Sequence, residues 1–135
     1  MYYCIKQIIQ ERNEMEQFNS NQPIYLQIVE NIKKEIISGQ LKANEQLATV
    51  RDLALKYQVN PNTVQRAFSE LEREGLVRSE RTAGRYVCSN DELMKSLKQQ
   101  MIEEKVISFV SELTQLNVSL NECLAYITEA YKKEK

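Results

Sequence analysis

Residues 58–77 constrain the chain more than any other stretch, because they carry both a helix start and a helix stop. Asn60 has the short acceptor side chain that satisfies free N–H groups at a helix start. Pro61 follows where a missing N–H does no harm. Gly75 stands where the chain must leave the helix with a positive φ. Between them Val64, Ala67, Phe68 and Leu71 recur at helical spacing and form one apolar face. The opposite face carries Asn62, Gln65, Arg66 and Ser69. Amide side chains pair bidentately with adenine and Arg with guanine, and a capped helix N-terminus favours phosphate. An ordinary amphipathic helix with a solvated face shows the same pattern, so the neighbouring segments must decide.

Upstream, Pro23 opens a second pattern, in which Tyr25, Ile28, Val29, Ile32, Ile36 and Ile37 repeat at helical spacing until Gly39. This predicts a first helix over about 23–38 that packs into a core, with Tyr25 a core residue rather than a ligand contact. Residues 40–48 read as a connector that brings Leu41 and Leu47 inward. Thr49 and Asp52 then stand at N-cap and N3 of a second helix, with Leu53, Ala54 and Tyr57 facing in. Only Gln58 and Val59 separate Tyr57 from the next cap, which is the spacing of a helix-turn-helix. Arg51 projects from the first turn of the second helix, where it can reach a phosphate or a groove edge. Local surface pairing is the plainer alternative.

Downstream, two short alternating runs, 76–81 and 85–88, flank Thr82-Ala-Gly84 and predict a β-hairpin. Leu76, Val77, Tyr86 and Val87 anchor it, and Arg81 and Arg85 flank its tip. A hairpin directly after a recognition helix is a wing, and arginines at a wing tip enter a minor groove or hold a phosphate.

From Ser89 the pattern changes. Ser89 to Glu92 forms a capping box that opens a long helix, and Ser119 to Glu122 forms another that opens the last one, with a break at Asn117-Val118. The apolar positions include Leu97, Met101, Val106, Phe109, Val110, Leu113, Leu116, Leu120, Leu124 and Ile127. Two such helices cannot bury both apolar faces alone. They either complete the monomer core or join a second copy, and the second option is expected here because a small DNA module needs two half-sites for specificity.

Composition removes whole classes of function. The 135 residues contain no His, which excludes His-based acid–base chemistry and His metal ligation. Cys4, Cys88 and Cys123 are far apart and match no metal-ligand spacing. No catalytic constellation is present, so an enzyme is not expected, and neither a cofactor nor a metal is called for. No 18-residue apolar run and no secretory pattern occurs, which makes a cytoplasmic protein without a membrane partner the default. Residues 40–87 carry eight Lys/Arg against six Asp/Glu, whereas 88–135 carry six against eight, so the only positive part of the chain contains the helix-turn-helix. In residues 1–14, Tyr2, Ile5, Ile8 and Ile9 share a turn-spaced face. Met15 is read as the natural start and 1–14 as a translated leader; a short helix packing on the domain or a partner is the alternative.

Together, Pro23-Ile-Tyr-Leu-Gln-Ile28, Gln46-Leu-Ala-Thr-Val-Arg-Asp-Leu-Ala54, Val59-Asn-Pro-Asn-Thr-Val-Gln-Arg-Ala-Phe68 and Leu71-Glu-Arg-Glu-Gly-Leu-Val77 resemble the winged-helix domain of GntR-type bacterial transcription regulators. The likeness covers about 23–88. Only 47 residues follow Cys88, too few for the effector domain of larger members and similar to the short YtrA-like subgroup, whose two C-terminal helices dimerise. The resemblance implies repression of the protein's own operon, often with genes for an ATP-binding-cassette transporter. It also implies DNA contacts at Arg51, Asn60, Asn62, Thr63, Gln65 and Arg66, and a wing glycine at Gly84. The family's usual Gly-Arg-Gly-Thr-Phe-Val wing is Thr82-Ala-Gly-Arg-Tyr-Val87 here, so a glycine and the tip arginine are missing and Arg81 and Arg85 are left to compensate. The usual Pro-Gly before the second helix is Ala43-Asn44, where Asn tolerates a left-handed conformation.

The sequence therefore predicts a mainly α protein: a winged helix-turn-helix of three helices and a two-stranded wing, followed by a C-terminal two-helix dimerisation hairpin. The expected units are 1–16 (extension), 17–88 (DNA-binding) and 89–135 (dimerisation). The recognition helix spans 60–74 and the wing 77–88. Asn62, Gln65 and Arg66 are expected to read bases, and Thr63, Arg51 and the wing to hold the backbone. Thr49 and Pro61, which open the two helices, are counted with that interface. The expected partners are an inverted-repeat duplex and a second copy; a small-molecule effector held between the two C-terminal helices is a further alternative, whose apolar positions core packing explains equally well. The rival reading is a winged helix whose polar face contacts a protein without specific DNA binding.

Overall fold

The computed structural model describes residues 20–81 and 84–134. The expectations for Met15, for the 1–14 segment and for Thr82-Ala83 lie outside these residues.

Helix α1, Ile24–Ser38, starts at Pro23, whose carbonyl accepts from the N–H groups of Leu26 and Gln27. It ends at Gly39, whose φ of 86° lets the chain turn away. Its inward stripe is Ile28, Val29, Ile32 and Ile36. Helix α2, Val50–Tyr57, is capped by the Thr49 hydroxyl, which accepts from the Asp52 N–H at 3.0 Å. Gln58 then takes a left-handed φ of 56°, an unusual post for a residue with a long side chain. The Val59 N–H closes the turn on the Ala54 carbonyl at 3.0 Å. Helix α3, Pro61–Arg73, follows with Asn60 as its cap, the Asn60 side chain accepting from the Asn62 N–H at 2.8 Å.

Phe68, Ile28, Ile32, Leu71, Leu76, Val64 and Val87 are all under 2% exposed and form the centre of the core. Four of these seven come from α3 and the strand-leading residue behind it, so the recognition helix is held from behind along its length. At about 1.5–3 kcal/mol for each large apolar side chain buried, this is the main force that fixes its orientation.

Strands β1, Val77–Glu80, and β2, Gly84–Val87, pair antiparallel with Val77 opposite Val87 and Glu80 opposite Gly84. The connector before α2, which no local pattern assigns to the sheet, runs along the free edge of β2, with a bridge between Gln46 and Tyr86. The Leu47 N–H donates to the Arg85 carbonyl at 2.8 Å, and the Val87 N–H donates to the Glu45 carbonyl at 2.9 Å. Asn44 makes the bend into this edge with a φ of 66°, the left-handed conformation that Asn tolerates.

Helix α4, Asp91–Thr114, is capped by Asn90, not by Ser89 as the capping-box spacing suggested; the Asn90 side chain accepts from the Leu93 N–H at 3.1 Å. Helix α5, Leu120–Glu134, starts at Ser119, whose hydroxyl accepts from the Glu122 N–H at 3.2 Å. Neither helix has a buried residue. Within one chain their apolar positions stay exposed or half-buried, and only the first half of α4 packs against the winged-helix core. Leu93, Met94 and Leu97 are partly buried against the winged-helix core, while Ile102, Val106, Phe109 and Val110 are exposed. At about 100° per residue, these two apolar stripes are separated by roughly 150° around the helix axis. Leu97, which the sequence groups with the dimerisation positions, lies on the half of α4 that packs on its own domain.

Candidate nucleic-acid interface

The polar face of α3 is presented by the packing just described. Asn60, Pro61, Asn62, Gln65, Arg66 and Ser69 are exposed, and Thr63 is half-buried at the edge of the face. The Ser69 hydroxyl donates to the Gln65 carbonyl at 3.0 Å, so it is spent on its own helix. The first turn of α3 has no acidic residue. Its free N–H groups and its dipole therefore face outward without a counter-charge, which suits an approaching phosphate.

Thr49 and Arg51 are exposed at the start of α2. Among the described residues Arg51 makes no hydrogen bond or ion pair, so the plainer expectation of a local surface pair is not what is observed. Its guanidinium is available to a partner.

The arginines of the hairpin divide. Arg81 is exposed at the end of β1 and Gly84 opens β2 with a φ of 89°. Arg85 was expected beside Arg81 at the tip, but its side chain turns back onto the body. Its Nε donates to Glu72 at 2.9 Å, and its guanidinium lies 4.8 Å from the ring centre of Phe68. The reason is register: Arg85 pairs with Ser79 in mid-strand, directly over α3, where a carboxylate and an aromatic ring wait for it. Glu72 also accepts from the Ser79 hydroxyl. Arg78 is likewise committed, to Glu80 at 3.0 Å and to the Val87 carbonyl at 2.9 Å.

Arg66 has a partner that sequence reasoning missed. Its guanidinium lies 4.0 Å from the ring centre of Tyr25, and its Nη2 donates to the Tyr25 hydroxyl at 3.4 Å. Tyr25 is half-buried at the start of α1, not sealed in the core. No local signal in the sequence links two residues 41 positions apart. On the other side of α3, Arg73 pairs with Glu70 at 2.6 Å and Lys33 of α1 with Glu74 at 2.9 Å. The Arg73 guanidinium beside Glu70 holds that carboxyl below the usual carboxylate range. These acidic residues lie toward the C-terminal end of α3, so the charge that faces outward near its start is positive or neutral.

The ten apolar positions assigned to dimerisation divide as α4 does. Leu97 packs on the domain, and Met101, Leu113 and Ile127 are half-buried; Val106, Phe109, Val110, Leu116, Leu120 and Leu124 are exposed. Val106, Phe109, Leu113, Leu116 and Ile127 line an open groove between α4 and α5. Among the described residues no group of His, Cys, Asp and Glu could hold a metal ion, and no helix is long and apolar enough to cross a membrane.

Comparison with known proteins gives a consistent result. The profile of the bacterial regulatory proteins of the gntR family matches residues 24–87. The chain is 36% identical over 108 residues to the uncharacterized HTH-type transcriptional regulator YhcF of Bacillus subtilis, covering 80% of this chain and 89% of that one. It is 34% identical over 111 residues to the HTH-type transcriptional repressor YtrA of Bacillus subtilis, covering 82% and 85%. Among solved structures, a GntR family transcriptional regulator from Listeria monocytogenes superposes with a TM-score of 0.76 at 33% identity, over 83% of this chain and 98% of that one.

Proposed function

The chain belongs to the gntR family of bacterial regulatory proteins and is a DNA-binding transcription regulator, and from that premise we propose that it acts as a homodimeric repressor of its own operon. Each α3 enters one major groove of an inverted repeat. Asn62, Gln65 and Arg66 read base edges, while Thr63, Arg51 and Arg81 hold the backbone. The observation that carries this reading is the capped, acid-free start of α3, with its amide and guanidinium side chains exposed along one face, together with an exposed Arg51 that has no ion pair among the described residues.

Dimerisation is supported by the change of apolar face along α4. Ile102, Val106, Phe109 and Val110 in the second half of α4 and Leu120 and Leu124 of α5 are exposed, whereas Leu93, Met94 and Leu97 of the first half pack partly buried against the winged-helix core. A second copy is the partner that removes this surface from water and also supplies the second half-site. The working division is a DNA-binding unit to about residue 88 and a dimerisation unit after it. Repression agrees with the name of the relative YtrA. By the family resemblance, operons controlled in this way often carry genes for an ATP-binding-cassette transporter, and the protein is expected to work in the cytoplasm with its DNA.

The test is binding of the full chain to a labelled fragment of its own upstream region in the presence of unrelated competitor DNA, followed by footprinting. Retention with an inverted repeat protected supports the autorepressor. Selection from random duplexes that returns a site elsewhere removes self-regulation but keeps sequence-specific binding. Binding that ignores both DNA sequence and salt concentration would favour the protein-interaction reading, since phosphate contacts release counterions and weaken as salt rises.

A further inference from the structure

Arg66 is the only one of the three proposed base-reading residues whose side chain is held by another element among the described residues. The Tyr25 ring, at the start of α1, lies 4.0 Å from its guanidinium, and the Tyr25 hydroxyl accepts from one Nη at 3.4 Å. Stacking covers one face of the guanidinium plane and, apart from the Nη2 that donates to the Tyr25 hydroxyl, leaves the rim donors to an outside acceptor. Tyr25 is itself held, being partly buried against the same core that fixes α3. The neighbouring carboxylates do not compete for the guanidinium: Glu70 is bonded to Arg73 and Glu74 to Lys33.

We propose that Tyr25 is a specificity-determining positioning residue, whose ring pre-orients the Arg66 guanidinium for a guanine edge in the major groove. This rests on the DNA-reading function of α3 proposed above. A free arginine must lose its rotamer freedom when it docks. A stacked one has already lost it, which improves binding on the order of three- to tenfold per ordered side chain. The gain falls only on sites that offer the right base, so the residue acts on discrimination more than on general affinity. Asn62 and Gln65 have no such support and contribute without it.

The experiment uses the full chain and the duplex returned by selection from random DNA. Affinity is measured for that duplex, for versions with each half-site guanine replaced in turn, and for unrelated DNA, with wild type, Tyr25→Phe, Tyr25→Leu, Arg66→Ala and the Tyr25→Leu/Arg66→Ala double variant. Tyr25→Phe, which keeps the ring, should stay close to wild type. Tyr25→Leu should lose about three- to tenfold on the selected duplex, little on unrelated DNA, and nothing further in the Arg66→Ala background. In the free protein, the Arg66 side-chain protons should show an upfield ring-current shift that Tyr25→Phe retains and Tyr25→Leu removes. Equal losses on all DNA, or additive losses in the double variant, overturn the proposal and leave Tyr25 a structural residue. Absence of the ring-current shift also overturns it, whatever the DNA data show. A wild-type chain that selects no duplex refutes the DNA-reading premise itself, and is told apart because the ring-current shift would then be present without any specific site.

Discussion

Glu72 in the last turns of α3 and Arg85 in β2 are joined at 2.9 Å, with side chains 34% and 22% exposed, so the wing is latched to the recognition helix by a pair largely sheltered from solvent. The latch fixes the angle at which the hairpin leaves the domain, and with it the reach of Arg81. Arg85→Ala should therefore lower stability by about 1–2 kcal/mol, read from denaturant unfolding. Its effect on DNA affinity should match that of Glu72→Ala, which removes a negative charge rather than a positive one. An Arg85→Ala defect specific to DNA, with Glu72→Ala neutral, would return Arg85 to the interface.

Arg51 has no competing partner among the described residues, which makes it the clearest candidate for holding a phosphate. Arg51→Ala should weaken binding about equally on selected and unrelated duplexes, and should reduce the slope of log affinity against log salt by about 1 for each phosphate that the side chain neutralises. An unchanged slope places the side chain away from phosphate.

Arg66→Ala should weaken binding to the selected duplex by about 1–3 kcal/mol and relax the preference at one base pair per half-site. A folded, dimeric variant with unchanged affinity would show that the arginine serves only to tie α3 to Tyr25.

The exposed stripe on the second half of α4 gives a separate expectation. Val106→Glu with Phe109→Glu places charge at the centre of the proposed dimer face without touching the winged-helix core. The variant should sediment as a monomer with the winged helix still folded. It should lose affinity for a two-half-site duplex on the order of a hundredfold, as linked binding is lost. A variant that remains dimeric excludes this face.

Tyr57 adds a pH dependence. Burial, and then the nearby Glu35 carboxylate, push its phenol above the ordinary value of 10.0, while a hydrogen bond to Asn31 acts in the opposite direction. The folded state thus holds the proton more tightly than the unfolded chain. This share of stability is complete below about pH 10 and is lost as pH rises from there through the higher folded value. Thermal melts between neutral pH and pH 11 should show a shallower alkaline decline for Tyr57→Phe than for wild type. Parallel declines would mean that the phenol does not contribute.

The helix borders were legible in the sequence because they are set within a few residues. Asn60 and Thr49 cap where their spacing said they would, Gly39 ends α1, and the buried faces of α1, α2 and α3 follow the apolar period. Periodicity reports which residues share a face, and caps report where a helix can begin, without reference to the rest of the chain. The winged-helix class and the family followed from the order of these local signals.

What only the tertiary structure decided were the pairings between distant residues. The edge contact of Gln46 with Tyr86, the Arg85–Glu72 latch and the Tyr25–Arg66 stack each join segments 13 to 41 residues apart. Each depends on where the core holds two elements side by side. The sequence grouped Arg85 with Arg81 because both flank the turn, and grouped Leu97 with the outer stripe of α4 because both are apolar. The fold separated them: strand register carried Arg85 over Phe68, and rotation along the helix carried Leu97 onto its own domain. A charge or an apolar side chain can be named from the sequence. Whether it faces a partner within the chain or is left for one outside it depends on what the packed core brings near.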